Sequence, residues 1–433
     1  MIGMDWQLLQ PGETTARNAL RRKRGWAPFL PLLLLFLSVS FMRATAQTAS
    51  SATESEETEH VVHALCGKRV ALLGESPTHA FGATLEFKVK LVHRLIDECH
   101  YDALFVESGI YDYLNLEKQR NSGQKVTDAM ISAAIGGLWA NEEVHSLVPF
   151  LREKVMEGNL TLGGLDDQIG AGSYASRHMA SDLVQPLQGD ERSRCFAVLQ
   201  KRLLWQYTPN APYAPSDKAK ILGCLDESEE RLAQQDERNL SWAQDDKAMM
   251  DSLKRNLSRD FTEDDFTKSD QETKWINDRD RSMYLNFKFL SSRLPKNSKI
   301  IIWTATVHAA KSLNGATKFE GRVPFGSYIA RDFGDQAFSL GFSAYSGEYR
   351  FTHPPVMQLS AAPAFSLEGQ AFTHQTSATR YLSYQQLRKR GSIPARLLGT
   401  DFESAHWDRV VDGVVIFRQE RAPAWIQRTR EPN

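Results

Sequence analysis

The residues best suited to chemistry are a carboxylate and an imidazole four positions apart, at the end of an apolar run: Val70-Ala-Leu-Leu-Gly-Glu75-Ser-Pro-Thr-His79. A neutral imidazole, with an ordinary pKa of about 6.5, can take a proton from water near neutral pH, and Glu75 can orient it. The pattern recurs in Ala103-Leu-Phe-Val-Glu107-Ser-Gly109 and in Ile300-Ile-Ile-Trp303-Thr-Ala-Thr-Val-His308. Glu107 ends a run apolar enough to be buried on both faces, where a charge needs a partner or a purpose. His308 offers a second acid/base group or an oxyanion donor. Asp166, after Leu160–Leu165, follows the same logic. Each residue also has a structural alternative. His79 can be a capping imidazole, and Glu75 can bond backbone amides. Glu107 can pair with Lys88 or Arg281, His308 can bond a neighbouring strand, and Asp166 can cap a helix.

Several reaction types lack their residues. Gly74-Glu-Ser76-Pro-Thr78 approaches the G-x-S-x-G nucleophile elbow but ends in Thr, so an α/β-hydrolase serine is disfavoured. There is no H-E-x-x-H, no G-x-x-x-x-G-K-[ST], and no G-x-G-x-x-G after a strand.

Strands and helices must position these groups. Arg69–Leu73 reads as a strand, followed by a helix whose apolar face is Leu85, Val89, Val92 and Ile96. Strands then follow at Ala103–Val106, Leu160–Leu165, Ser298–Thr304, Ala337–Phe342 and Gly413–Phe417, with helical stretches at Ala129–Leu138 and Glu142–Lys154. Thr352–Ala371 reads as a Pro- and Ala-rich loop. Repeated βαβ units imply an α/β fold, with a mostly parallel central sheet and helices on both faces. In such sheets ligands bind beyond the carboxyl ends of the strands, where Glu75, His79, Glu107 and His308 fall. Residues 173–293 are polar and helical, and read either as a helical insertion capping the site or as a solvated hairpin without a chemical role.

A formal net charge of −1 argues against a nucleic-acid partner, and 42% hydrophobic with 24% charged residues is ordinary for a globular chain. At the N-terminus, Arg21-Arg-Lys-Arg24, an apolar run to Met42 and Ala44-Thr-Ala46 read as a signal peptide, residues 1–46, cleaved before Gln47. The alternative is an uncleaved anchor. Residues 47–60 read as a flexible lead-in. Export to the periplasm or medium would permit disulfides. Cys66 and Cys99 each precede a strand, and Cys195 and Cys224 lie on two helical segments. The expected pairs are Cys66–Cys99 and Cys195–Cys224, against four free buried thiols.

In order, these blocks resemble the erythromycin esterase family, whose wider relatives include ChaN-like and TIKI-like proteins. Leu73-Gly-Glu75…Thr78-His79 is close to the family's G-E-x-[TS]-H-G, and Lys88 stands where the family carries a basic residue. Glu107 matches its strand-end Glu, and Trp139…Glu143-Val144 its W…E-V block. Gly164-Leu-Asp166-Asp-Gln168 resembles G-F-D-x-Q, and Arg279-Asp-Arg-Ser-Met283-Tyr-Leu-Asn286 resembles R-D-x-x-M-x-x-N. Trp303…His308 resembles W-A-H-N-x-H. Gly326-Ser-Tyr328 and Gly341-Phe342 resemble its closing blocks.

The resemblance implies one α/β domain over 61–433 that hydrolyses a small-molecule ester or lactone without a cofactor. His79 would be the general base acting on water, with Glu75 and Glu107 positioning and polarising it. Lys88 and His308 would support the site or steady an oxyanion, and Trp139, Asp166 and Arg281 would contact substrate. Three departures stand out: the first block is one residue longer, Ala80 replaces its Gly, and Ala305 replaces the first His after the Trp. Two rivals follow: a hydrolase using His79, Glu75, Glu107 and His308 as zinc or manganese ligands, and a non-catalytic envelope binding protein. No membrane span is expected once the signal peptide is gone.

Overall fold

The computed structural model describes residues 56–205, 215–234, 240–259, 269–352 and 355–426. The expected signal peptide, 1–46, and most of the lead-in lie outside the described residues. The chain is already helical at 56–66, where a flexible lead-in was expected to run to residue 60. Glu57, in that helix, accepts from the Tyr381 N–H at 3.0 Å and pairs with Arg380.

Eight strands form the main sheet: β1 (Val70–Leu73), β2 (Ala103–Gly109), β3 (Thr161–Asp166), β4 (Ile300–Trp303), β5 (Ala337–Tyr349), β6 (Met357–Leu359), β7 (Thr379–Ser383) and β10 (Gly413–Glu420). The order is β3-β2-β4-β1-β5-β10-β7, with β6 on the end of β5. Six strands run parallel, and β7 and β6 pair antiparallel. Strands β8 (Ser392–Ala395) and β9 (Glu403–His406) form a separate hairpin. The expected α/β architecture is therefore present, with additional short strands in the C-terminal third. Thr352–Ala371, expected as loop, carries β6 and a helix at Leu367–Ala371.

The sheet is buried on both faces, and alternation along each strand divides the core. Ala71, Leu73, Leu104, Val106, Ile301 and Trp303 face the helix Gly82–Asp97 and its neighbours. Val70, Leu72, Ala103, Phe105, Ile300 and Ile302 face the other way and share one buried cluster with Leu199, Ile221, Leu253, Met283 and Phe287 of the insertion. The insertion is thus part of the second core, not a solvated hairpin. No helix among the described residues is long and apolar enough to cross a membrane.

Both expected disulfides are present, with Cα separations of 4.9 Å for Cys66–Cys99 and 5.4 Å for Cys195–Cys224. The first forms although β1 and β2 are not neighbours, because β4 lies between them. Lys299, just before β4, spans the gap beneath the sheet and donates to the carbonyls of Cys66 and Cys99 at 2.5 and 2.7 Å.

Candidate active site

Strands β3, β2, β4 and β1 are consecutive in the sheet, and their registered pairs bring Leu73 and Val106 level with Trp303. Asp166, Glu107, His308 and Glu75 therefore leave the sheet along one rim. At Gly74 the backbone passes so close to β5 and the β4 exit that a Cβ would meet Thr306 Oγ1 at 2.5 Å and the Leu340 carbonyl at 2.9 Å. Glycine is needed there, and the turn then delivers Glu75, whose carbonyl accepts from the Thr306 N–H at 2.7 Å. His79, at the end of this turn, adopts φ +51°, a left-handed conformation uncommon outside glycine.

The first cluster centres on Glu75, which is 2% exposed. Its Oε1 accepts from His79 Nδ1 at 2.8 Å, Trp139 Nε1 at 2.9 Å and Trp303 Nε1 at 3.3 Å. Its Oε2 faces Lys88 Nζ at 3.2 Å. Burial opposes the Glu75 charge, but Lys88 and the His79 and Trp139 donors outweigh it and hold the carboxyl below its usual range. Lys88 is fully buried, and its ammonium lies 4.2 Å from the centroid of the Trp303 ring. Burial pushes Lys88 down to about 8 against the pull of Glu75 and Glu107. The Trp139 ring meets the His79 imidazole edge to face at 4.9 Å.

The second cluster centres on Arg279, from the insertion helix Ser269–Ser292. Its Nη2 donates to Glu107 Oε1 at 2.9 Å and to Asp166 Oδ2 at 2.5 Å. Glu107 Oε2 accepts from Thr304 Oγ1 at 2.7 Å and the Ala305 N–H at 2.8 Å. Burial works against the Glu107 charge, but His308 and Arg279 hold it well below the usual carboxylate range. Two carboxylates flank His308: Asp280 Oδ1 is 2.8 Å from Nδ1, and Glu107 Oε1 is 3.2 Å from Nε2. They outweigh burial and raise its pKa to about 10. Arg279 Nη1 stands 3.1 Å from Nε2, within hydrogen-bonding distance. The clusters interact: the charge of Glu107 acts on Lys88.

The structure thus groups Glu75, His79, Lys88 and Trp139, and beside them Glu107, Asp166 and His308. Trp139 is 3% exposed, and its indole donates to Glu75. Arg281 does not join either cluster. It is exposed, because Arg279 and Arg281 point about 200° apart around the helix axis. The residues missed as site members are Arg279 and Asp280, although both stood in the R-D block. Asp167 is also missed: it is fully buried and held by both terminal guanidinium nitrogens of Arg259. Ala305 is 1% exposed, and its backbone N–H, not a side chain, serves Glu107. Two cavities of about 360 and 380 Å³ lie elsewhere, one against Tyr284 and Phe333, the other against Lys311 and Asp412.

The erythromycin esterase family model matches residues 96–430, which include Glu107, Asp166, Arg279 and His308. The "Putative hydrolase YbfO" of Bacillus subtilis (strain 168) is 23% identical over 310 residues, covering 65% of this chain and 66% of that protein, just under two thirds of its length. Solved structures share the fold. A His-to-Asn mutant of erythromycin esterase EreC in its open conformation superposes with a TM-score of 0.59 at 14% identity, covering 83% of this chain and 92% of that one. A succinoglycan biosynthesis protein gives 0.64 at 12% identity, with 84% and 91% covered. A Bacillus cereus protein gives 0.62 at 15%, with 84% and 92% covered.

Proposed function

Because the chain belongs to the erythromycin esterase family, we propose that it is an exported hydrolase that directs water onto the carbonyl of a small-molecule ester or lactone. The names borne by its relatives, a putative hydrolase and an erythromycin esterase, support that class. The observation that carries the mechanism is the bond between His79 Nδ1 and buried Glu75. An Nδ1–H donated to a carboxylate leaves the Nε2 lone pair free as base.

In this mechanism His79 Nε2 removes a proton from water while the water oxygen attacks the carbonyl carbon. The carbonyl π-electrons move to oxygen, and the charges of His308, Arg279 and Lys88 favour that oxyanion. On collapse the C–O bond breaks, and the His79 imidazolium returns the proton to the leaving alkoxide. Glu75 holds the ring in the productive tautomer and stabilises its charged form.

A divalent metal is not part of this proposal. Lys88 and Arg279 already place positive charge against the oxygens of Glu75 and Glu107 that a metal would need. Among the described residues, Cys195, Cys224 and Glu227 are the grouping of suitable atoms close enough for a shared ion, and the two cysteines are bonded to each other.

The test is hydrolysis of an ester and lactone panel, macrolides included, with and without chelator, beside His79→Ala. Chelator-insensitive turnover that falls by roughly 10²–10⁴ in the variant supports the proposal. Turnover removed by chelator and restored by metal would make these residues ligands. A folded protein inert on the whole panel would favour a binding protein instead.

A further inference from the structure

Residues 420–426, beginning at the last residue of β10, cross the outside of the site and bond to both loops that meet on Glu75. The Gly82 N–H, three residues after His79, donates to the Arg421 carbonyl at 2.8 Å. The Glu142 N–H, three residues after Trp139, donates to the Ala424 carbonyl at 2.8 Å. The helix Gly82–Asp97 has no cap from its own N-cap side chain, Phe81. Glu420 supplies one from across the fold, accepting from the N–H groups of Ala83 and Thr84 at 2.9 and 3.0 Å. On the other loop, Glu143 accepts from the Arg421 guanidinium and, at 3.1 Å, from the Ala424 N–H. Ile426 donates to the Ala140 carbonyl at 3.0 Å. At Gly82 a Cβ would stand 2.8 Å from Arg421 Nη1 and 3.1 Å from the Ala422 carbonyl, so the crossing is close.

We propose that this segment is a positioning strap for the site, with Arg421 and Glu143 as positioning residues that hold His79 and Trp139 on the same oxygen of Glu75. Its bearing on catalysis rests on the hydrolase reading; its bearing on geometry does not. Trp139 Nε1 and His79 Nδ1 converge on Glu75 Oε1 from separate loops, and the two rings touch each other only edge to face, at 4.9 Å. Arg421 spans the gap, its guanidinium pairing with Glu143 on the Trp139 loop while its backbone carbonyl holds the His79 loop, beside Glu420 and Arg350, which also tie the segment to the His79 side. His79 sits at φ +51°, a conformation that persists only where the surroundings enforce it. A displacement near 1 Å in a catalytic group can cost about 10²-fold in rate.

The experiment compares Arg421→Ala, Arg421→Lys and Glu86→Gln in protein expressed from the full chain. Glu86 is the other, half-exposed partner of Arg421 and serves as control. The readouts are solvent exchange of the Trp139 indole N–H, assigned by Trp139→Phe, and the separate kcat and KM for any substrate turned over. Arg421→Ala is expected to speed indole exchange and lower kcat, each by roughly tenfold or more, with KM within about twofold. Arg421→Lys should restore most of the loss, and Glu86→Gln should change neither readout. Indole exchange within about twofold of wild type in folded Arg421→Ala would overturn the strap, as would equal effects from Glu86→Gln. Should Arg421→Ala not fold, Glu143→Gln, which keeps its shape and the acceptor for Ala424, is held to the same criterion. A protein inert on every substrate counts against the hydrolase reading, and the indole readout then decides the strap alone.

Discussion

Lys88 Nζ stands 3.2 Å from Glu75 Oε2, with both side chains sealed from solvent. This ammonium is the counter-charge of the carboxylate that orients His79, and burial lowers its pKa to about 8. As pH rises through that value, Lys88 loses its proton and Glu75 loses its counter-charge. Activity should therefore fall on an alkaline limb near pH 8. Arginine does not titrate in this range, so Lys88→Arg should carry the limb upward by about one pH unit or more if it retains activity. Coincident alkaline limbs in the two pH–rate profiles would reject Lys88 as the titrating group.

Arg279 and Arg281 lie two residues apart and should behave oppositely. Arg279 neutralises Glu107 and Asp166 at the strand ends, whereas Arg281 is exposed. Removing one partner of a buried ion pair typically costs about 3–5 kcal/mol. Arg279→Met should approach that loss in denaturant unfolding, while Arg281→Ala should stay within about 0.5 kcal/mol of wild type. Comparable midpoints for the two variants would contradict the placement of Arg279 as the link between insertion and sheet.

The strand-end carboxylates and imidazoles were legible because an apolar run that stops abruptly at a charged residue has one common arrangement, a buried strand with its polar end at the rim. The order of the strands was not legible. β4 enters between β1 and β2 from about 200 residues downstream, and such non-local pairing leaves no periodic trace. Arg279 was hidden for a related reason. Its helix is polar along most of its length, so three neighbouring charges, Arg279, Asp280 and Arg281, offer no pattern to show which one turns inward. The bond of the Trp139 indole to Glu75 was not legible, since that acceptor lies 64 positions away.

His308 supplies a second pH dependence, this one in stability. Its folded pKa is raised from the usual 6.5 to about 10 by Asp280 and Glu107, against the opposing effect of burial. A group whose pKa is raised on folding contributes stability fully present below its unfolded value, here about 6.5, and lost as pH climbs toward 10. His308→Asn should therefore destabilise the protein more at pH 6 than at pH 10. Thermal unfolding of both proteins across that range checks this. A gap that is constant or widens with pH would mean that His308 is neutral in the fold, with Arg279 donating to its Nε2.

The disulfide Cys195–Cys224 joins the insertion helices Gly189–Leu204 and Pro215–Ala233, which pack in the same core as the helix bearing Arg279. Closing a loop over a separation of 29 residues restricts the unfolded chain by about 3–4 kcal/mol in the chain-entropy account. Replacing both cysteines by alanine should lower unfolding stability by up to that amount. Because the core spans the sheet face and the insertion without a break, the loss should appear in one cooperative transition. Denaturant unfolding followed by far-ultraviolet circular dichroism and by tryptophan fluorescence decides between two outcomes. Coincident curves at a lower midpoint fit a single unit, whereas an early transition in one probe would show that the insertion melts from the sheet and takes Arg279 away from Glu107 and Asp166.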